Sequence, residues 1–300
     1  MATGRRVSTA WTLLPVFLLG ATLRLIGIYN LSPPGLEHDE VANWLIDRAI
    51  LAGQHAIYFS EAYGHEAAFH YVQAAFVALL GDNALALRLP AAFMGLLGIA
   101  VTFVLARQLF GPRIAFISAA LVAVLFFPVF FSRLGLRAIM LPLLAGLSAY
   151  FWWRGWGVDQ RLEIGDWGLE IGDWRSETHV LQPVHAGRNM LIAGALAGLS
   201  LHTYMAARAL PIFYALFFAA LSVLKPRDVR ARWRQLLLFW LALAVVAMPL
   251  ALYLLANPRA EFRISEIDAP LRALADGNVR PVVDNWPRMC ITIAGRIVRT

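Results

Sequence analysis

Residues 114–153 read IAFISAALVAVLFFPVFF, then SRLGLR, then AIMLPLLAGLSAYFWW. The only charges in this stretch are Arg133 and Arg137, and both fall in the central hexapeptide. As a single helix, 40 residues would run about 60 Å, roughly twice the hydrocarbon thickness of a bilayer. Two crossings joined by a short polar turn at 132–137 fit the lipid instead. The same pattern continues outward on both sides. Residues 190–224 divide near 204–208, with Pro211 just beyond, and 236–255 form a further apolar run. Towards the N-terminus lie apolar runs at 86–109 and 11–29. The expectation is an all-α multi-pass membrane protein with about seven transmembrane helices: 11–29, 86–109, 114–131, 138–153, 190–204, 209–224 and 236–255.

Composition demands the same answer. Hydrophobic residues make up 60% of the chain and charged residues 15%, with a mean hydropathy of +0.63. Soluble domains run at about 45–50% and about 25%, and water would not tolerate the surplus apolar surface. The net charge of +7 rests on arginines that punctuate apolar runs, with Lys225 the single lysine. A nucleic-acid binder gathers its basic residues on a polar domain, so nucleic acid is excluded as a partner and the lipid bilayer takes its place. One cysteine, Cys290, allows neither an internal disulfide nor a multi-cysteine metal site.

The opening MATGRRV and the apolar run after it read as an uncleaved first membrane helix. With the N-terminus cytoplasmic, inside loops up to residue 255 hold 13 Lys and Arg and outside loops five, namely Arg48, Arg88, Arg133, Arg137 and Arg208. That is the positive-inside arrangement of a cell-membrane protein. Residues 1–255 then form one transmembrane domain. Its first exterior loop is 30–85, its large cytoplasmic loop is 154–189, and 256–300 begin a further exterior segment. The cytoplasmic loop carries a tandem heptad, LEIGDW at 162–167 and again at 169–174, which reads as a local duplication without chemistry.

The exterior loop 30–85 concentrates the titratable groups. Seven of nineteen acids lie in it: Glu37, Asp39, Glu40, Asp47, Glu61, Glu66 and Asp82. So do four of seven histidines: His38, His55, His65 and His70. Glu37-His38-Asp39-Glu40 opens an amphipathic helix to about Ala52, with Val41, Trp44, Leu45 and Ala49 on one face and Glu40, Asn43, Asp47 and Gln54 on another. The helix dipole favours ionised Asp39 and Glu40 at its start, and an N-cap role would equally account for Asp39. Residues 67–80 form a second helix too short to span. Gly81-Asp82-Asn83 then leads into a span, with Pro90 suited to its first turn. Arg88, Arg133, Arg137 and Arg208 stand at exterior helix ends, where they can snorkel to headgroups or together ring an anionic pocket.

These pieces in this order resemble the GT-C class of lipid-linked-sugar glycosyltransferases, the group of the protein O-mannosyltransferases and the aminoarabinose transferase of lipid A. The carrying residues are His38-Asp39-Glu40, Tyr63-Gly64-His65-Glu66 with Phe69-His70-Tyr71, Leu80-Gly81-Asp82-Asn83 with Leu87-Arg88-Leu89-Pro90, and Leu105-Ala106-Arg107-Gln108-Leu109-Phe110-Gly111. The resemblance covers roughly residues 10–260. It implies a polyprenyl-phosphate-linked sugar as donor, an acceptor hydroxyl and an exterior active site. Asp39 maps onto the catalytic base, with Glu40 orienting the acceptor or Asp39 itself. His38, His65, Glu66, Arg88, Arg133, Arg137, Tyr204 and Arg208 map onto substrate binding, with Arg263 in the tail a further cation for the leaving phosphate. The resemblance makes no cofactor certain beyond a possible divalent metal ion. A divalent metal ion, bound in some relatives, would draw on His65 and Glu66, with a third ligand from His38, His70 or the tail. Some relatives carry acid-Lys-Pro where this chain reads Gly64-His65-Glu66. Members also usually continue through more spans, so the chain is expected to be a fragment, a truncated reading frame, or a subunit that a partner completes.

Two other readings compete. A lipid-linked-sugar transporter should carry broken helices and polar groups at the bilayer midplane in repeated halves. Here the carboxylates sit in an exterior loop instead, with Arg24 and His202 the main ionisable residues inside spans. An inactive remnant or subunit would keep the fold without turnover. No Walker loop, dinucleotide glycine pattern or Gly-x-Ser-x-Gly elbow is present.

Overall fold

The computed structural model describes residues 9–29, 35–61, 64–157 and 185–258, together with Ala260, Gly277 and Arg280. Tyr63, Arg263, the tandem heptad and most of the segment after residue 258 lie outside the described residues. In chain order the helices are α1 (Thr9–Leu25), α2 (His38–Leu51), α3 (Ala68–Leu80), α4 (Ala84–Phe110), α5 (Pro112–Val124), α6 (Phe126–Arg133), α7 (Met140–Trp156), α8 (Ala186–Ser200), α9 (Ala209–Leu224), α10 (Pro226–Ala231) and α11 (Trp233–Ala256). Single 3-10 turns at Arg137–Ile139 and Met205–Arg208 lead into α7 and α9. The described strands are β1 (Tyr58–Phe59) and β2 (His65–Glu66), an antiparallel pair with Tyr58 opposite Glu66.

The protein is a multi-pass membrane protein built of helices. Each of the seven apolar segments read from the sequence is helical. By length and hydropathy, α4, α11 and the 20-residue run Met205–Leu224 each suffice to cross a membrane, and α5 with α6 makes a fourth, bent by 52°. The bend follows from the chain. Leu125 is extended (φ −60°, ψ 141°), which carries the N–H groups of Phe126 and Phe127 away from the α5 carbonyls four residues back. The carbonyls of Val122 and Ala123 therefore need other donors. Arg24 of α1 supplies them at 2.9 Å each, and also reaches Gly20 O at 3.1 Å and Ser132 Oγ at 3.2 Å. An arginine inside an apolar helix is thus consumed in capping a broken one.

Small residues set the closest helix approach. Gly194 and Gly198 lie one turn apart on α8, against α11. A Cβ on Gly198 would stand 2.7 Å from Leu243 O, and one on Gly194 would collide with the Phe239 carbonyl. This is small-residue membrane packing. An aromatic core of Trp152, Trp156, Tyr214, Phe218 and Phe239 surrounds it.

Two local expectations change. Helix α4 starts at Ala84 behind an Asn83 cap, whose side chain accepts from Ala86 N at 3.0 Å. Pro90 therefore lies inside the helix rather than in its first turn. Helix α2 begins earlier than an Asp39 cap would require. Its N-cap is Glu37, and Asp39 belongs to the first turn.

Candidate active site

Helix α2 is amphipathic as its sequence indicates, but its polar face is the one turned into the protein. Glu40, Asn43 and Asp47 are buried, whereas Val41 and Leu45 are exposed at the surface. A polar face can be buried only against partners, and Glu40 has four. Its Oε1 accepts from Arg88 Nε and from Gly135 N, both at 2.8 Å. Its Oε2 accepts from Arg88 Nη2 at 2.8 Å and from Glu37 N at 3.0 Å. Burial alone would raise this carboxyl, but Arg88 and the two backbone N–H groups outweigh it and hold Glu40 below its usual range. Arg88 also donates to Ile28 O at 3.1 Å and to Gly35 O. Both side chains are 0% exposed.

The pair is thus the knot that ties α2, α4, the end of α1 and the turn after α6. Glu40 and Arg88 are spent on each other and on backbone. They position neighbouring residues and do not face solvent. Gly135 is required at this crossing, since a Cβ there would lie 2.7 Å from Leu87 O and 2.9 Å from Gln73 Nε2.

A second cluster forms where three turns meet. β2 supplies Glu66, the turn after α6 supplies Arg137, and the turn after α8 supplies Tyr204 and Arg208. Glu66 Oε2 accepts from Arg137 Nη1 at 2.7 Å, and Glu66 Oε1 lies 3.4 Å from Arg208 Nη2. Arg137 also donates to Gly64 O at 3.2 Å, and its guanidinium stands over the Tyr204 ring at 5.5 Å. Gly64 has φ +91°, and a Cβ there would strike the Tyr58 hydroxyl. Ala68 N donates to His202 O at 3.0 Å and draws the third turn in. Arg208 keeps 30% of its side chain exposed, whereas Glu66 is 2% exposed.

Behind Glu66 runs a buried row. His65 Nδ1 lies 3.1 Å from His70 Nε2, and His70 Nδ1 lies 3.4 Å from Asp47 Oδ1. Burial pushes the Asp47 carboxyl up to about 9. Burial, with His65 and Arg137 nearby, holds the His70 imidazole well below its usual value.

The remaining candidates are placed apart. Asp39 is 67% and His38 90% exposed, with Asp39 Oδ1 3.6 Å from His38 Nδ1. Arg133 donates to Leu23 O at 2.7 Å. The four arginines therefore do not form one ring. Arg137 and Arg208 gather on Glu66, Arg88 is buried on Glu40, and Arg133 caps α1. Among the described residues, no group of three or more His, Cys, Asp or Glu side chains is arranged to hold a metal ion. His65 turns to His70, and Glu66 turns to its arginines. The sequence reading passed over Asn43, Asp47 and Gln73 as site-building residues, and gave His70 only as one alternative for a third metal ligand. A signal was present: His70 and Gln73 are the only strongly polar residues in a 13-residue apolar helix.

Below these turns an apolar cavity of ≈ 550 Å³ runs along α4 from Met94 to Phe110, between α6 and α7, and reaches Ala138 and Ile139 beside Arg137.

Residues 65–169 match the family model described as dolichyl-phosphate-mannose-protein mannosyltransferase. The crystal structure of ArnT from Cupriavidus metallidurans bound to undecaprenyl phosphate superposes with a TM-score of 0.59 at 20% sequence identity, over 94% of this chain and 50% of that one. The chain therefore shares the fold of that structure. The chain spans about half the length of that structure. No curated protein sequence matches it. In this fold the Glu40–Arg88 knot and the Glu66 cluster are joined through the turn that carries Gly135 and Arg137.

Proposed function

We propose that the protein transfers a sugar from a polyprenyl-phosphate donor to an acceptor hydroxyl, with Asp39 as general base. The observation that carries this reading is the tie between the α2 turn that bears the open Asp39 carboxylate and the turn that bears Arg137. Glu40 binds Gly135 N, two residues before Arg137, so the helix turn that bears Asp39 is locked to the turn that bears a cation. The Asp39 carboxylate takes the hydroxyl proton as the acceptor oxygen attacks the anomeric carbon. The bond from that carbon to the phosphate oxygen breaks, and the lipid phosphate leaves with its electron pair. One displacement inverts the anomeric centre. Arg137 and Arg208 neutralise the leaving charge, and Arg208, more exposed and more distant from Glu66, is the one able to turn towards it.

The apolar cavity, which reaches Ala138 and Ile139 next in the chain after Arg137, supports the lipid half of the donor, because a polyprenyl chain needs a path into the bilayer from the phosphate. The neighbouring fold solved with undecaprenyl phosphate agrees with that chemistry. The site faces the exterior of the cell membrane, with the N-terminus cytoplasmic, in keeping with the arginine distribution. The test is transfer from a mixed pool of polyprenyl-phosphate sugars in membranes expressing residues 1–300, beside Asp39→Asn. Transfer in the wild type that disappears in a correctly inserted variant is expected. Undiminished turnover in the variant would remove Asp39 from the reaction.

A further inference from the structure

A polar layer between α2 and α3 is not used by the transfer chemistry. Asn43 and Asp47, one turn apart on α2, meet His70 and Gln73 of α3, and none of the four is more than 1% exposed. Five of their atoms have no hydrogen-bond partner among the described residues: Asn43 Oδ1, both Asp47 carboxyl oxygens, His70 Nδ1 and Gln73 Oε1. Native proteins leave few buried polar atoms unpaired, so five in one seam call for a common partner.

The orientation of both amides is fixed. Asn43 Nδ2 donates to Gly135 O at 2.6 Å, and Gln73 Nε2 donates to Leu87 O at 2.6 Å and to Gly135 O at 3.3 Å. Flipping either amide would set oxygen against carbonyl oxygen. The leftover atoms of the amides are therefore acceptors, as are the oxygens of an ionised Asp47. His70 joins them in the tautomer that donates from Nε2 to His65 Nδ1, 3.1 Å away. Metal-binding histidines commonly donate their other ring N–H in this way.

Spacing agrees. Asp47 Oδ1 and His70 Nδ1 lie 3.4 Å apart without hydrogen-bond geometry. Two donors bound at about 2.1 Å to one ion stand roughly 3.0–3.4 Å from each other. A proton on Asp47 would satisfy one acceptor, whereas a cation satisfies several at once and offsets the buried carboxylate.

We propose that Asn43, Asp47, His70 and Gln73 hold a divalent cation between α2 and α3. One imidazole nitrogen among carboxylate and amide oxygens favours an ion of the Mn²⁺ kind over thiolate-seeking metals. Its place differs from a His65–Glu66 site: His65 is a hydrogen-bond partner of the ligand His70, and Glu66 belongs to the arginines. The ion would stake the helix that carries Asp39 to the helix that follows Glu66, whatever reaction the site performs.

The experiment uses residues 1–300 in lipid nanodiscs, stripped with chelator and titrated with MnCl₂ under electron paramagnetic resonance. One Mn²⁺ per chain is expected, with a hyperfine coupling to a single imidazole nitrogen. Asp47→Asn and His70→Ala should each weaken binding by about tenfold or more, while Glu66→Gln retains the ion. Absence of stoichiometric binding, retention in Asp47→Asn, or loss in Glu66→Gln would overturn the assignment. If a variant does not fold, the wild-type spectrum decides: bound Mn²⁺ without the nitrogen coupling also refutes the site.

Discussion

Replacing Glu40 by Gln tests whether the buried knot is architecture or chemistry. The side chain keeps its shape and loses its charge, so Arg88 remains buried at 0% exposure without a counter-ion. Removing one partner of a buried pair costs about 3–5 kcal/mol. Gly135 N and Glu37 N also lose a charged acceptor, so at least ~3 kcal/mol should go, from a total of about 5–15 kcal/mol. The double variant Glu40→Gln/Arg88→Met removes the stranded charge and should recover much of the loss, giving a coupling of about 1–3 kcal/mol in the cycle.

The pH response has a definite sign. The folded Glu40 carboxyl lies below its ordinary 4.5, so its contribution is present above pH 4.5 and is lost as pH falls towards the folded value. That acid-side loss should be absent in Glu40→Gln. The assays are unfolding in detergent, followed by tryptophan fluorescence from pH 3 to 8, and sugar transfer on the same preparations. If Glu40→Gln unfolds within ~0.5 kcal/mol of wild type while transfer collapses, Glu40 touches substrate and the positioning role assigned to it is wrong.

Arg137→Ala should leave Glu66, among the described residues, with the more distant Arg208, raising KM for the lipid donor and lowering kcat; steady-state kinetics that change neither would separate Arg137 from the phosphate. Arg24→Met should strand the Val122 and Ala123 carbonyls and cost about 2–5 kcal/mol, whereas the more exposed Arg133→Met should cost less than ~1 kcal/mol; parallel detergent melts compare them. Gly198→Leu should drive a side chain into the α11 backbone and destabilise by about 1–3 kcal/mol or more, read as a lower melting midpoint, with a wild-type midpoint counting against the close α8–α11 contact.

Hydrophobic runs by themselves determined the helices. Lipid admits only backbone that bonds within its own segment, so apolar stretches, their Gly and Pro breaks and the arginines between them located all seven helical segments and the short helices α2 and α3. The acidic loop between the first two apolar runs was equally legible, because polar residues between membrane helices stand out against 60% hydrophobic composition. Pairing was not legible. Nothing local tells Glu40 that its partner is Arg88, 48 positions on, or tells Glu66 that Arg137 and Arg208 will arrive 71 and 142 positions later. Nor does the pattern of α2 say that its polar face turns inward, since amphipathicity fixes two faces without naming the solvent for each. Which face meets protein depends on whether distant turns bring donors to it. The sequence therefore fixes the candidates, Asp39 foremost. The tertiary structure alone separates the exposed Asp39 from the buried Glu40 beside it, and gathers four otherwise unremarkable polar residues into one seam.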